Sequence, residues 1–238
     1  MRIGLFDSGI GGLTVLKVLK EKFPHSDYIY YGDTKNVPYG DKSKEELLRL
    51  ARNNMEFLIS KNVDYIIIAC GTVSSNCLDE LIEEYDTPII SIVNPTIAYL
   101  NNSSYNNIAV IATHATINSH IFKDSINKQV YEIETPLLVP IIENNDYSNI
   151  NEVLHNYLDD YIDKIDALVL GCTHYPLLIN YLKDIVSSDT KIINMADQIL
   201  VDNEGDSSIE IYLSKIDDNI INNVNNIIGD VNVRLIND

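Results

Sequence analysis

Two cysteines 102 positions apart close the same short pattern. Asp64-Tyr-Ile-Ile-Ile-Ala-Cys70 runs into Gly71-Thr72, and Asp166-Ala-Leu-Val-Leu-Gly-Cys172 runs into Thr173-His174. Each is an acidic residue, four apolar residues, a small residue, a cysteine and a small polar turn. A buried thiol is more often inert than reactive. Both cysteines, however, have a hydroxyl residue within two positions and a helix starting soon after, whose dipole is expected to lower a thiol pKa from about 8.5 toward neutrality. His174 lies two residues from Cys172 and can polarise it. Cys77, inside a helix-like run, fits the inert reading.

Several chemistries fit this pair poorly. A Cys-His hydrolase uses one nucleophile and leaves the second cysteine unexplained. A redox dithiol is written C-x-x-C, and a structural zinc site needs ligand pairs that are missing; Cys172 with His174 is too small a set. Two thiols facing each other across a small ligand suit another task. One removes a proton from carbon and the other returns one to the opposite face, inverting the centre.

The elements around the cysteines are those of an α/β protein. Each apolar run is short, unbroken and rich in branched residues, the signature of a strand buried on both faces of a parallel sheet. Each cysteine therefore stands just past a strand's carboxyl end, where open α/β sheets bind ligands. Strand-like runs at Ile3–Phe6, Tyr28–Tyr31, Tyr65–Ala69 and Ile89–Val93 alternate with helix-like runs at Leu13–Lys22, Lys44–Ser60 and Ser75–Glu84. Ser43 and Glu46 are spaced as a capping box. The order restarts with strands at Ile108–Ala112, Val130–Glu134, Leu168–Leu170 and Lys191–Asn194, and helices at Asn118–Asn127, Ile150–Ile162 and Leu177–Val186. A helix over Asp217–Ile227 and a strand over Val231–Ile236 end the chain. The expected organisation is two pseudo-symmetric lobes, each a mainly parallel sheet flanked by helices, with a cleft between them. Residues 1–94 with 207–238 make the first lobe and 95–206 the second.

The 238 residues carry a net charge of −18, with 17 basic and 35 acidic side chains. That balance argues against a nucleic-acid partner, which needs clustered Lys and Arg. No apolar stretch approaches the ~20 residues of a membrane span. The first residues pass straight into a strand-like run rather than a signal peptide. Three scattered cysteines do not make a disulfide framework, so the expected location is the cytoplasm.

Asp7-Ser-Gly-Ile-Gly-Gly12 follows a strand and opens a helix. It is one residue short of a dinucleotide fingerprint, because Thr14 stands where the third glycine belongs. Asp7 either caps the turn or points with Ser8 into the cleft. Gly32-Asp-Thr-Lys-Asn-Val-Pro-Tyr-Gly40 reads as a loop.

Together with Pro38-Tyr-Gly40, Ala69-Cys-Gly-Thr-Val-Ser74, Thr113-His-Ala-Thr116 with Ser119, Leu138-Val-Pro-Ile-Ile-Glu143 and Gly171-Cys-Thr-His-Tyr-Pro-Leu-Leu178, that segment resembles the cofactor-independent aspartate/glutamate racemase family, in order over nearly the whole chain. The resemblance implies interconversion of L- and D-glutamate without pyridoxal phosphate or metal, supplying D-glutamate for peptidoglycan, and a homodimer as the common assembly. It implies Cys70 as the thiol acting on D-glutamate and Cys172 as the one acting on L-glutamate. Asp7 and His174 assist the thiols, and Glu143 assists His174. It assigns Ser8, Tyr39, Gly40, Gly71, Thr72, Thr113, Thr116 and Thr173 to substrate binding, with Asp7 and His174. The family usually carries Asn where this chain has Gly71. Loss of one such hydrogen bond costs about 0.5–1.5 kcal/mol, which keeps two alternatives open: a racemase for aspartate or another acidic amino acid, and a catalytically weakened regulatory homologue. The Asn194-Met195-Ala196 segment also departs from the family's Asp-Ser-Ala.

Overall fold

A computed structural model describes residues 1–236; residues 237 and 238, assigned by sequence to the first lobe, lie outside the described residues. In chain order the elements are β1 (Arg2–Asp7), α1 (Leu13–Lys22), β2 (Asp27–Gly32), α2 (Lys44–Ser60), β3 (Tyr65–Ile68), α3 (Gly71–Asn76), α4 (Leu78–Glu84), β4 (Ile89–Ser91) and α5 (Val93–Asn102). Then come β5 (Asn107–Ala112), α6 (His114–Asn118), α7 (Ile121–Ser125), β6 (Gln129–Glu134), α8 (Leu138–Glu143), α9 (Ile150–Leu158), β7 (Ala167–Leu170), α10 (Ile179–Ile185) and β8 (Lys191–Asn194). β9 (Ile209–Leu213), α11 (Asp218–Ile228) and β10 (Val233–Leu235) end the chain.

The strands form two parallel sheets, ordered β10-β9-β2-β1-β3-β4 and β6-β5-β7-β8. The first sheet contains the order 2-1-3-4, and the second repeats it with β5 for β1 and β7 for β3. Strand order reverses between β1 and β3, and again between β5 and β7. These are the switch points where an open sheet leaves a crevice at its carboxyl edge. Cys70 follows β3 and Cys172 follows β7, so each thiol stands at the crevice of its own sheet.

The apolar runs are buried throughout, and alternation divides their side chains between two cores. Tyr65 and Ile67 of β3 and Ala167 and Val169 of β7 join one cluster that spans both sheets, with Ile3, Leu5, Ile108 and Val110. Ile66 and Ile68 face a core under α2 with Phe6, Leu50 and Met55. Leu168 and Leu170 face the corresponding core under α9 and α10. α2 buries Leu47, Leu50, Ala51, Asn54, Met55 and Leu58, the spacing of one helix face. Its N-cap Ser43 accepts from Glu46 N at 3.3 Å, while the Glu46 carboxylate pairs with Lys42 at 2.9 Å.

The acidic residue of the repeat is structural. Asp64 accepts Arg2 N at 2.7 Å, while Asp166 accepts Asn106 N and Asn107 N at 2.8 and 2.9 Å. Each carboxylate ties down the start of the neighbouring central strand, β1 or β5.

Local structure departs from the sequence pattern where short breaks interrupt helical runs. The run at Ser75–Glu84 divides at Cys77, whose φ of −128° separates α3 from α4, so this cysteine sits at a helix junction. The run at Asn118–Asn127 divides at His120, which takes a left-handed φ of 53°. Strand β4 stops at Ser91, whose hydroxyl accepts Val93 N at 3.0 Å and starts α5. Periodicity gives no signal for α8 or β9, which are only six and five residues long.

Candidate active site

A pocket opens between the carboxyl edges of the two sheets. Ser8, Tyr39, Gly40, Cys70, Gly71 and Thr72 line it from the first lobe, and Thr113, Cys172, Thr173 and His174 from the second. Ten residues selected from sequence therefore meet in one place. Asp7, Thr116 and Glu143 stand one layer behind.

Asp7 ends β1 and is fully buried. Its Oδ2 accepts Gly9 N at 3.2 Å and Gly12 N at 2.9 Å, holding the glycine turn, and its Oδ1 accepts the Thr173 hydroxyl at 3.3 Å across the cleft. Asp7 thus holds the glycine turn and reaches the second lobe through Thr173, without itself lining the pocket. Thr116 lies behind Thr113: their hydroxyls are 3.1 Å apart, and Thr113 in turn meets the Thr72 hydroxyl at 2.9 Å. Tyr39 lines the pocket, but its hydroxyl donates to Asp33 at 2.6 Å. That hydroxyl is thus committed to Asp33.

The two thiols stand in opposite electrostatic settings. Cys70 lines the pocket with Ser8 and feels the charge of the Asp7 carboxylate. Burial, reinforced by Asp7, pushes its pKa well above the ordinary thiol value, although Val73 N and Ser8 pull the other way. The expected lowering by the following helix is therefore overturned at Cys70. α3 is only six residues long, and desolvation plus a buried anion outweighs its end.

Cys172 faces His174 Nδ1 at 3.7 Å, and His174 Nε2 lies 2.7 Å from Glu143 Oε1. Burial alone would lower the imidazole pKa, but the hydrogen bonds to Cys172 and Glu143 prevail and hold it well above the usual histidine range. A cation thus backs Cys172, whereas an anion backs Cys70. Cys77 is fully buried, and burial pushes its thiol up to about 12, consistent with an inert residue.

The lobes approach closely because first-lobe glycines face second-lobe site residues. A Cβ on Gly11 would lie 2.5 Å from His174 Nδ1, and one on Gly71 would lie 2.5 Å from the Gly171 carbonyl oxygen. No side chain fits at Gly71 with the lobes at this separation. The Met195 methyl group, 3.6 Å from that same point, fills the adjoining space. The two departures from the family pattern are neighbours.

A model of the Asp/Glu/Hydantoin racemase family matches residues 15–197. This chain belongs to that family. Among its relatives, the glutamate racemase of Hydrogenobaculum sp. (strain Y04AAS1) is 41% identical over 96% of this chain and 93% of its own length. That of Aquifex aeolicus is 37% identical, covering 97% and 95%. The crystal structure of glutamate racemase from Francisella tularensis in complex with D-glutamate superposes with a TM-score of 0.87 at 31% identity, covering 99% of this chain and 97% of that one.

Other residues of this racemase-family pocket were not singled out from sequence. Val37, Pro38, Asp41, His114, Thr135, Pro136, Val139 and Pro140 complete the lining. Val37, Pro38, His114, Val139 and Pro140 lie inside segments quoted above and Asp41 directly follows one, although the sequence assigned none of them a role. Thr135 carried no local signal; the Tyr175 hydroxyl holds it at 2.7 Å, a contact across 40 residues. Neither Lys nor Arg is among the described lining residues. Among the described residues, no group of three or more His, Cys, Asp and Glu is arranged to hold a metal, and no helix is long and apolar enough to cross a membrane.

Proposed function

We propose that this chain interconverts L- and D-glutamate by a two-thiol transfer, in the cytoplasm, supplying D-glutamate for peptidoglycan. The observation that carries this reading is the pair of thiols lining one pocket from two related sheets, one backed by an anion and the other by a cation. The lobes divide at residues 94–95 and 206–207, close over the substrate, and pair with a second copy as a homodimer.

In the L-to-D direction, Cys172 as thiolate takes the α-proton and the bonding electron pair stays on the α-carbon. Cys70, kept as a thiol by burial and Asp7, then gives its proton to the opposite face. The enzyme is left with Cys172 protonated and Cys70 ionised, the state that accepts D-glutamate and runs in reverse. His174, held by Glu143, stabilises the Cys172 thiolate before each L-to-D turnover. The α-proton is far less acidic than a thiol, so the developing carbanion must be stabilised by fixed dipoles in a site that excludes water. The Ser8, Thr72, Thr113 and Thr173 hydroxyls and the neighbouring backbone amides supply those dipoles. They suit the carboxylates of an acidic amino acid in a pocket whose described lining has no Lys or Arg.

Turnover in deuterium oxide tests this. The expected result is α-deuterium in the product enantiomer from either L- or D-glutamate. Exchange with aspartate alone moves the substrate assignment, and exchange with neither ends the reading.

A further inference from the structure

Glu143 is the last residue of α8, and its carboxylate sets the orientation of His174. A helix's final carbonyls have no partner within the helix. The Glu143 carbonyl instead accepts Asn219 Nδ2 at 2.8 Å and Asn223 Nδ2 at 3.1 Å. Both amides come from α11, 76 and 80 residues further along the chain, and their i,i+4 spacing puts them on one face. Asn145, in a left-handed conformation with φ of 55°, donates its own amide to Asn219 Oδ1 at 3.2 Å and to Asn223 Oδ1. Each α11 amide therefore has its oxygen occupied by Asn145 and its nitrogen turned to Glu143.

The clamp joins the two lobes. α11 is capped by Asp217, whose Oδ1 accepts Ile220 N at 2.9 Å, and it packs against α1 of the first lobe through a face with Ile220, Val224 and Ile227 buried. α8 belongs to the second lobe. The ring orientation of a buried imidazole is set by the partner of its outer nitrogen. Whatever fixes Glu143 thus aims His174 at Cys172.

We propose that Asn219 and Asn223 are positioning residues for the second-lobe thiol: by gripping the Glu143 carbonyl from the first lobe they aim its carboxylate at His174, so that the Glu143–His174–Cys172 series is complete only when the lobes are closed. This rests on the racemase reading for its kinetic consequence. The geometry of the clamp stands apart from it.

The test is Asn219→Ala, alone and with Asn223→Ala, in the wild-type and Glu143→Gln backgrounds. Asn219 is exposed, so the single variant folds even if loss of the buried Asn223 does not allow it. The double variant is expected to lower kcat/KM about tenfold in both directions, since the enantiomers are equal in free energy. The α-deuterium isotope effect should rise for L-glutamate relative to D-glutamate, because the step at Cys172 is the one slowed. In the Glu143→Gln background the same substitutions should change kcat/KM less than twofold. An equal further loss in that background, or isotope effects unchanged in ratio, overturns the proposal. A second readout does not need turnover. The hydrogen-bonded Nε2 proton of His174, followed by NMR of the histidine-labelled protein, should weaken or shift in Asn219→Ala. An unchanged resonance overturns the clamp. A shifted resonance in a chain that leaves glutamate untouched keeps the clamp and ends the racemase reading.

Discussion

Gly71, next to Cys70 in the first lobe, meets Gly171, next to Cys172 in the second, so closely that a Cβ on Gly71 would stand 2.5 Å from the Gly171 carbonyl oxygen. A backbone atom cannot swing aside as a flexible side chain can. Gly71→Ala should therefore hold the lobes apart and lower kcat/KM at least tenfold. Gly71→Asn, which restores the residue the family usually carries, should do the same while Met195 remains. Steady-state kinetics decide it, and a gain in activity from either variant refutes the close approach.

The two thiols should be separately indispensable. Cys70→Ser and Cys172→Ser are each expected to lower racemisation by roughly 10²–10⁴, the range for losing a positioned acid or base. Full activity in both variants removes the two-thiol mechanism.

Their opposite settings should show in reactivity. At pH 8, iodoacetamide should alkylate Cys172, beside the His174 cation, before Cys70, and Cys77 last, because Cys77 is fully buried at a helix junction and does not line the pocket that admits the reagent. Because Asp7 helps hold the Cys70 pKa up, Asp7→Asn should speed alkylation of Cys70 while slowing turnover. Peptide mass spectrometry reads the order, and early labelling of Cys77 contradicts it.

His174 makes stability depend on pH in a defined direction. Its folded-state pKa is raised, so the stabilisation is fully present below the ordinary histidine value of about 6.5 and is lost as pH rises through the raised value. The difference in Tm between wild type and His174→Gln should thus be widest at neutral and mildly acidic pH and shrink on the alkaline side. A difference that grows with pH contradicts the ion-pair assignment.

Asp166, the acidic member of the repeat, should matter to stability rather than catalysis. Its carboxyl is held below the usual range by the Asn106 and Asn107 backbone amides. Its contribution is therefore present above about pH 4 and lost as pH falls through the lowered value. Asp166→Ala should cost about 1–2 kcal/mol in urea unfolding at pH 7, less near pH 3, with kcat/KM within threefold of wild type. A large catalytic loss would contradict this structural assignment.

Much of the site was legible because parallel strands make the chemistry local. A buried strand followed by a small turn puts the next few residues at the sheet's carboxyl edge. Cys70, Thr72, Cys172, Thr173 and His174 could thus be placed from the four apolar residues before them. Less legible was whatever depends on two distant segments. Thr116 and Asp7 belong to motifs at the sheet edge, yet neither lines the pocket: Thr116 lies behind Thr113, and Asp7 meets the Thr173 hydroxyl from behind. The Tyr39 hydroxyl is taken by Asp33, and no local pattern reveals an acceptor six residues upstream in a folded loop.

The sequence by itself determined the alternation of elements, the repeat that makes two lobes, and the identity of the two thiols, because side-chain period and strand burial are properties of contiguous residues. The tertiary structure decided how unlike those thiols are. Burial and a carboxylate from another strand set the proton affinity of Cys70. The end of α8, held by amides from α11, aims the histidine beside Cys172. Desolvation and charge act through space, and so the difference between two segments of the same pattern was settled only when the chain brought other segments to them.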